Sequence, residues 1–227
     1  MPVPPDRGDL TSDFYIVHAD NAAMAADRVE LLVRERIPRQ FGIDPLSVQV
    51  LTPMRRGPAG ADVLNERLQA ILNPPRSAAE KSARGIRVGD KVMQLRNDYA
   101  RDVFNGDLGF VMHVDPETEQ VVVNMDGRAV LYERTQLDEL TLSYACSIHK
   151  SQGSEYPAIV VPLVASHFVM LSRNLLYTAV TRGKQLVTLV AEPRAIAMAL
   201  SEVRKEDRFS WLRSRLCDAV GHRRRQD

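Results

Sequence analysis

The sequence predicts an α/β protein carrying an all-β insertion, on three observations. Apolar residues at helical spacing alternate with short β-branched runs in the first third of the chain and again in the last third. Between about Ser77 and Glu139, strand-like runs follow one another with turn residues between them and no helical pattern. Near-continuous apolar runs such as Ile159-Val160-Val161 suit a sheet covered on both faces. The expected organisation is a first α/β part over 1–76, the insertion over 77–139 and a second α/β part over 140–227.

Phe14–His18 reads as a strand. Asp20 or Asn21 offers an N-cap for a helix with Ala25, Val29, Leu32 and Arg36 on one face, and Pro38 is expected to close it. Ser47–Thr52 is a second strand, with Val48 and Val50 in alternation. After a Pro53–Gly60 loop, a helix over roughly Asp62–Leu72 aligns Leu64, Leu68 and Ile71 and stops at Asn73-Pro74-Pro75. In the insertion the strands are Ile86–Leu95, Leu108–Val114, Gln120–Met125 and Arg128–Glu133. Asn105-Gly106-Asp107, Asp115-Pro116-Glu117 and Asp126-Gly127 separate them. Short strands with close turns argue for a compact antiparallel barrel or sandwich, and about sixty residues suit a small SH3-like barrel. Leu140–Ile148 and Ala158–Val164 then read as strands, Leu171–Arg182 as a helix and Gln185–Ala191 as a strand. Helices follow near Arg194–Lys205 and through Phe209, Leu212, Leu216 and Val220.

Composition narrows the function classes. A chain of 227 residues with 44% hydrophobic residues can build a sizeable core. Its formal net charge of +1 gives no global case for nucleic acid, so any such surface must be local. Arg223-Arg224-Arg225 is equally well a solvated end. Two cysteines, Cys146 and Cys217, lie far apart without metal-ligand spacing, which fits a reducing cytosol and a cytoplasmic location. The apolar run near Ala158–Ala165 contains a proline and is too short to span a bilayer, and the first residues lack the layout of a signal peptide.

Two segments could carry chemistry. His149-Lys150-Ser151-Gln152-Gly153-Ser154-Glu155 follows a strand, and in an open α/β sheet ligands collect beyond the carboxyl ends of strands. Ser147, His149, Lys150 and Gln152 can donate to phosphate oxygens, Gly153 permits a tight turn, and Glu155 can accept from a ribose hydroxyl. A solvated polar loop is the other explanation. Arg182, near the end of the Leu171–Arg182 helix, offers a planar fork able to stabilise a phosphoryl group in transfer; an ordinary surface arginine at a helix C-terminus has the same look.

Taken together, Ser147–Pro157 and Arg173-Asn-Leu-Leu-Tyr-Thr-Ala-Val-Thr-Arg182 resemble motifs V and VI of superfamily 1 helicases of the RecD-like type. Val50-Leu-Thr-Pro-Met-Arg-Arg-Gly57 with Leu64-Asn65 and Leu72-Asn73-Pro74 is a third match. Val88-Gly-Asp-Lys-Val-Met-Gln94 with Asp102-Val-Phe-Asn-Gly-Asp-Leu-Gly109 is a fourth, and all fall in the expected order. The resemblance implies a RecA-like parallel-sheet domain of the P-loop NTPase type, with an SH3-like barrel inserted. It implies ATP between two such core domains, Arg182 as an arginine finger, and Gly153 and Glu155 on the nucleotide side. Ser147, His149, Lys150 and Gln152 would face single-stranded DNA. Thr52 and Arg55 are weaker candidates for contacts to its backbone. Phe104 and Asn105 are the best contact candidates in the insertion, although Phe104 suits a barrel core as well.

No Gly-x-x-x-x-Gly-Lys-Ser/Thr occurs, so the phosphate-binding loop, the acidic Mg2+ site and the first core domain they belong to are missing from this sequence. The expectation is the C-terminal half of a 5′→3′ DNA helicase that, alone, hydrolyses no ATP. A non-catalytic single-stranded nucleic-acid binding module and the helicase end of a conjugative relaxase are the alternatives.

Overall fold

A computed structural model describes residues 12–75 and 82–201, whose strands form two five-stranded sheets. The first contains β1 (Phe14–His18), β2 (Val48–Thr52), β8 (Ala145–Ser147), β9 (Tyr156–Leu163) and β10 (Gly183–Ala191), in the order β1-β10-β9-β2-β8, with every neighbouring pair parallel. Side chains alternate across a strand, and here both faces are covered. Ala158 and Val160 of β9 pack with Val29 of α1 (Ala22–Leu31) and Leu64 and Leu68 of α3 (Ala61–Leu72). Ile159 and Val161 pack on the other side with Leu175 and Ala179 of α4 (Arg173–Val180) and Ala195 of α5 (Pro193–Ser201). The unbroken apolar runs of the sequence have this cause.

The first helix departs from expectation. Asn21 caps it, its side chain accepting from the Met24 N–H at 2.9 Å. Pro38 does not close it. A π-helical turn at Leu32–Arg36 leads into α2 (Ile37–Phe41), and the helix ends at Gly42 with φ 67°. Proline lacks an N–H and its ring crowds the carbonyl four residues earlier; a wider turn just before it accommodates both demands.

The second sheet is antiparallel. It is built from β3 (Lys91–Gln94), β4 (Leu108–Asp115), β5 (Gln120–Met125), β6 (Arg128–Tyr132) and β7 (Leu140–Leu142), in the order β6-β5-β4-β3-β7. One apolar cluster fills it, including Val92, Val111, Val123, Val130 and Tyr132. Gly109 lies where an added Cβ would meet Met125 Sδ and Val123 Cγ1 at 2.6 Å, so no larger residue fits there. The strand expected over Ile86–Leu95 is regular only from Lys91, because Gly89 sits at φ 89°.

Leu140–Ile148, expected as a strand, is not one strand. β7 pairs with β3 in the antiparallel sheet, Ser143 and Tyr144 link, and β8 pairs with β2 in the parallel sheet; Ile148–Ser151 is a 3-10 turn. Buried amides hold this passage. Gln49 Nε2 donates to the carbonyls of Ser143 (3.1 Å) and Tyr144 (3.3 Å), while Asn65 makes two 2.8 Å bonds to the backbone of Ala145, satisfying the free edge of β8.

Asp90 anchors the small domain. Fully buried, it accepts from Gln69 Nε2 (2.6 Å), Asn73 Nδ2 (2.7 Å), the Arg87 N–H (2.7 Å) and Tyr144 Oη (2.9 Å). Next to it Lys91 is buried with its Nζ on the Leu46 carbonyl at 2.9 Å, and burial pushes its pKa down to about 8. The helix expected near Arg194–Lys205 is α5 as far as Ser201. The one expected through Phe209, Leu212, Leu216 and Val220, together with Cys217 and Arg223–Arg225, lies outside the described residues. Among the described residues no helix is long and apolar enough to cross a membrane.

Candidate functional site

The connection from β8 to β9 organises the site. Thr52 and Ser147 are register partners at the carboxyl ends of β2 and β8, whereas Ala158, near the start of β9, is level with Val48 at the start of β2. Residues 148–155 therefore travel back from one edge of the sheet to the other, about 20 Å. The expectation that this whole run sits beyond the carboxyl ends is corrected. Ser147 and Arg55 lie at that end; Gly153, Glu155 and Arg182 lie at the amino ends of β9 and β10. The edge position of β8 dictates this, since a parallel strand further in must be entered from its start.

At the amino edge the two motif segments are clipped together. Ser172 caps α4, its Oγ accepting from the Leu175 N–H at 3.2 Å, and Leu175, Leu176 and Ala179 face the core. Arg182 follows two residues after the helix, half-buried, and its carbonyl accepts from the Tyr156 N–H at 2.8 Å. Its guanidinium donates through Nη1 to the Ser154 carbonyl (3.1 Å), through Nε to the Thr178 carbonyl (3.2 Å) and through Nη2 to Thr181 Oγ1 (3.1 Å). Arginine has five donors, so among the described residues each terminal nitrogen keeps one hydrogen available for an anion. Gly153, at φ 87°, makes the turn before Ser154, and exposed Glu155 pairs with Lys184 at 3.1 Å. Burial pushes the Tyr156 phenol up to about 12.

Three clefts open along the connection. Arg55, Ser147 and Lys150 share one of about 100 Å³ with Met93 and Leu95 of the small domain. His149 and Gln152, both exposed, line another of about 190 Å³ against Ser172, Asn174 and Thr178. Phe104 shares an open groove of about 700 Å³ with Phe110, Ser154 and Glu155. Phe104 is thus an exposed residue, not a core aromatic, and Asn105 beside it is exposed too. Thr52 stands apart. It is fully buried and its hydroxyl donates to the Ala59 carbonyl at 2.7 Å, so it shapes the loop under Arg55 and offers nothing to a ligand. Arg55 itself is exposed and held by Asp62 at 2.9 Å.

Sequence reasoning missed Tyr99, Lys184 and Gln69, and took Asn65 and Asn73 only as parts of a motif, not as one amide row along α3 and its C-cap. The row had a signal: Asn65, Gln69 and Asn73 recur every four residues beside the apolar stripe. Among the described residues no group of three His, Cys, Asp or Glu side chains could hold a metal ion.

Comparison with known proteins agrees with the layout. Residues 64–125 match the family described as the SH3 domain of ATP-dependent RecD-like DNA helicases, and residues 142–190 match the UvrD-like helicase C-terminal domain. The chain is 41% identical over 180 residues to the ATP-dependent RecD2 DNA helicase of Deinococcus radiodurans, covering 79% of this chain and 24% of the relative. It is 33% identical over 168 residues to the RecBCD enzyme subunit RecD of Mycolicibacterium smegmatis, covering 74% and 29%. It is also 34% identical over 200 residues to the conjugal transfer protein TraA of Agrobacterium fabrum, covering 84% and 18%. The chain thus spans about a quarter of the length of the curated relatives it matches. A crystal structure of the Bacteroides Pif1 helicase with ADP-AlF3 and single-stranded DNA shares the fold. Its TM-score is 0.50 at 18% identity, over 86% of this chain and 49% of that one.

Proposed function

The chain carries the SH3 domain and the UvrD-like C-terminal domain of a RecD-like superfamily 1 helicase, and we propose that it works as the second lobe of an ATP-driven 5′→3′ DNA motor. Its amino-edge corner, Gly153, Glu155 and Arg182, meets the nucleotide. Its carboxyl-edge cleft, with Arg55, Ser147 and Lys150, meets single-stranded DNA; Phe104, on the groove it shares with Ser154 and Glu155, and Asn105 beside it supply the small domain's contact to the strand. His149 and Gln152 sit between the two. The observation that carries this reading is the bond from Arg182 to the Ser154 carbonyl, which joins the two polar motif segments at one corner.

In this reading the triphosphate and its Mg2+ are gripped by a first core domain outside this sequence, and ATP is cleaved only when the two lobes close. Arg182 then exchanges its local carbonyl partners for the γ-phosphoryl oxygens, where its fixed charge offsets charge developing in the transition state. The chain alone hydrolyses no ATP.

Mixing it with the first core domain of a RecD-like helicase and measuring ATP turnover with single-stranded DNA tests this. DNA-stimulated turnover is expected, and Arg182→Ala should lower it by about a thousandfold. Turnover by the isolated chain, or a mixture indifferent to Arg182→Ala, refutes the reading. The similarity to TraA favours one second reading, in which the same motor half serves as the helicase end of a conjugative relaxase.

A further inference from the structure

The loop between β3 and β4 displays two aromatic rings on a braced support. Tyr99 is 78% exposed and Phe104 40% exposed, and their rings meet edge to face with centroids 5.9 Å apart at 76°. An aromatic ring left in water has lost its hydrophobic reward, and two such rings on one short loop are a feature to be explained. The loop is not loose. Asp98 and Val103 exchange backbone hydrogen bonds at 2.8 and 3.1 Å, and Asp98 Oδ1 accepts from the Ala100 and Arg101 N–H groups. Arg101 points beneath the loop, its guanidinium 4.6 Å above the Tyr132 ring, with Nε on Asp98 (2.7 Å) and Nη2 on Glu139 (2.5 Å). Asn97 aims the display: its Oδ1 accepts from the Asn105 N–H at 2.9 Å, and its Nδ2 donates to Tyr99 Oη at 3.4 Å.

The position of this loop supplies the second argument. Gly106 at its base faces the Lys150 carbonyl, 4.0 Å from where a Cβ would sit. The loop starts at exposed Arg96, one residue beyond Leu95, which shares the cleft of Arg55 and Lys150. The stem of the loop thus runs past Lys150 and the cleft of Arg55, and its outer part carries the open rings; cations for phosphates joined to rings for bases is the combination that binds single strands without regard to sequence.

We propose that Tyr99 and Phe104 form a base-stacking platform for single-stranded DNA, with Arg101 and Asn97 as its positioning residues. The platform rests on the DNA-facing reading above and adds to it a contact made to bases, which phosphate contacts alone do not provide.

Fluorescence anisotropy of the full chain with two labelled oligomers of equal length, oligothymidylate and an abasic chain, separates the two ideas. Tyr99→Ala is expected to weaken oligothymidylate binding about tenfold and leave the abasic oligomer unchanged, whereas Tyr99→Phe, which keeps the ring and loses only the bond from Asn97, should recover most of the binding. Lys150→Ala should weaken both oligomers. Asn97→Ala, which removes the tether but no ring, should fall between wild type and Tyr99→Ala on oligothymidylate alone. Unchanged oligothymidylate binding by Tyr99→Ala, or an equal loss on both oligomers, overturns the platform and leaves the DNA-facing reading intact. Absence of binding to either oligomer at millimolar protein overturns both.

Discussion

The two sheets hold themselves together by different means. In the parallel sheet every residue of β2 is buried, and β9 is buried at all but one position, so apolar packing on both faces does the work. In the antiparallel sheet burial alternates, and Phe110, Met112 and Leu131 remain exposed on its outer side. A domain of that size has a thin core. What fixes its place on the larger lobe is directional: four donors converging on the Asp90 carboxylate, three of them from α3, its C-cap Asn73 and the link after β7. Apolar packing tolerates small shifts in angle, and a hydrogen-bonded hub does not. The structure uses the rigid device where two lobes must keep a fixed relation.

Substitutions can break or sharpen this contrast. Asp90→Ala should have the largest effect, because it strands the buried donors of Gln69 and Tyr144 and the part-buried ones of Asn73 and Arg87, at about 1–3 kcal/mol each where buried; urea unfolding is expected to report a loss of about 5 kcal/mol. A loss under about 1 kcal/mol would show that the hub is dispensable. Ile159→Ala, in the middle of β9, should cost about 4 kcal/mol by the same measurement. Its counterpart in the antiparallel sheet, Met112→Ala on the outer face, is expected within about 0.5 kcal/mol. Comparable losses at the two sites would erase the difference in packing.

Acid should weaken the larger lobe through His167, which is 2% exposed, has no hydrogen-bond partner for Nδ1 among the described residues, and has a pKa pushed down to about 4 by burial. The unfolded chain takes up this proton near pH 6.5 and the folded one only near 4. The stability contributed is therefore complete above 6.5 and lost as pH falls toward 4, about 3 kcal/mol in all. His167→Leu should flatten the unfolding free energy over that window; an unchanged slope would assign the acid sensitivity elsewhere.

Most elements of the fold were legible because apolar periodicity reports helix or strand locally, as with Phe14–His18 and Gln120–Met125, which the structure reproduces residue for residue. What escaped was long-range. Leu140–Ile148 changes sheets midway, but an extended run has the same pattern on either side of the change. Strand order is not written in any local pattern either, so the return of residues 148–155 across the sheet was invisible, and with it the two-edged character of the site. Thr52 shows the limit at single residues, since a hydroxyl at a strand end has one signature whether it faces solvent or a buried carbonyl. Pro38 was misread because the compensating turn belongs to the residues before it.

The brevity of the passage from β7 to β8 has a mechanical corollary. Ser143 and Tyr144 span at most about 7 Å when extended, and their carbonyls are pinned by Gln49, which leaves the joint no slack. One taut rod has its far end in the small domain and its near end at the start of the connection that leads to Glu155. So short a joint, hydrogen-bonded along its length, narrows the range of angles through which the small domain can turn against the lobe.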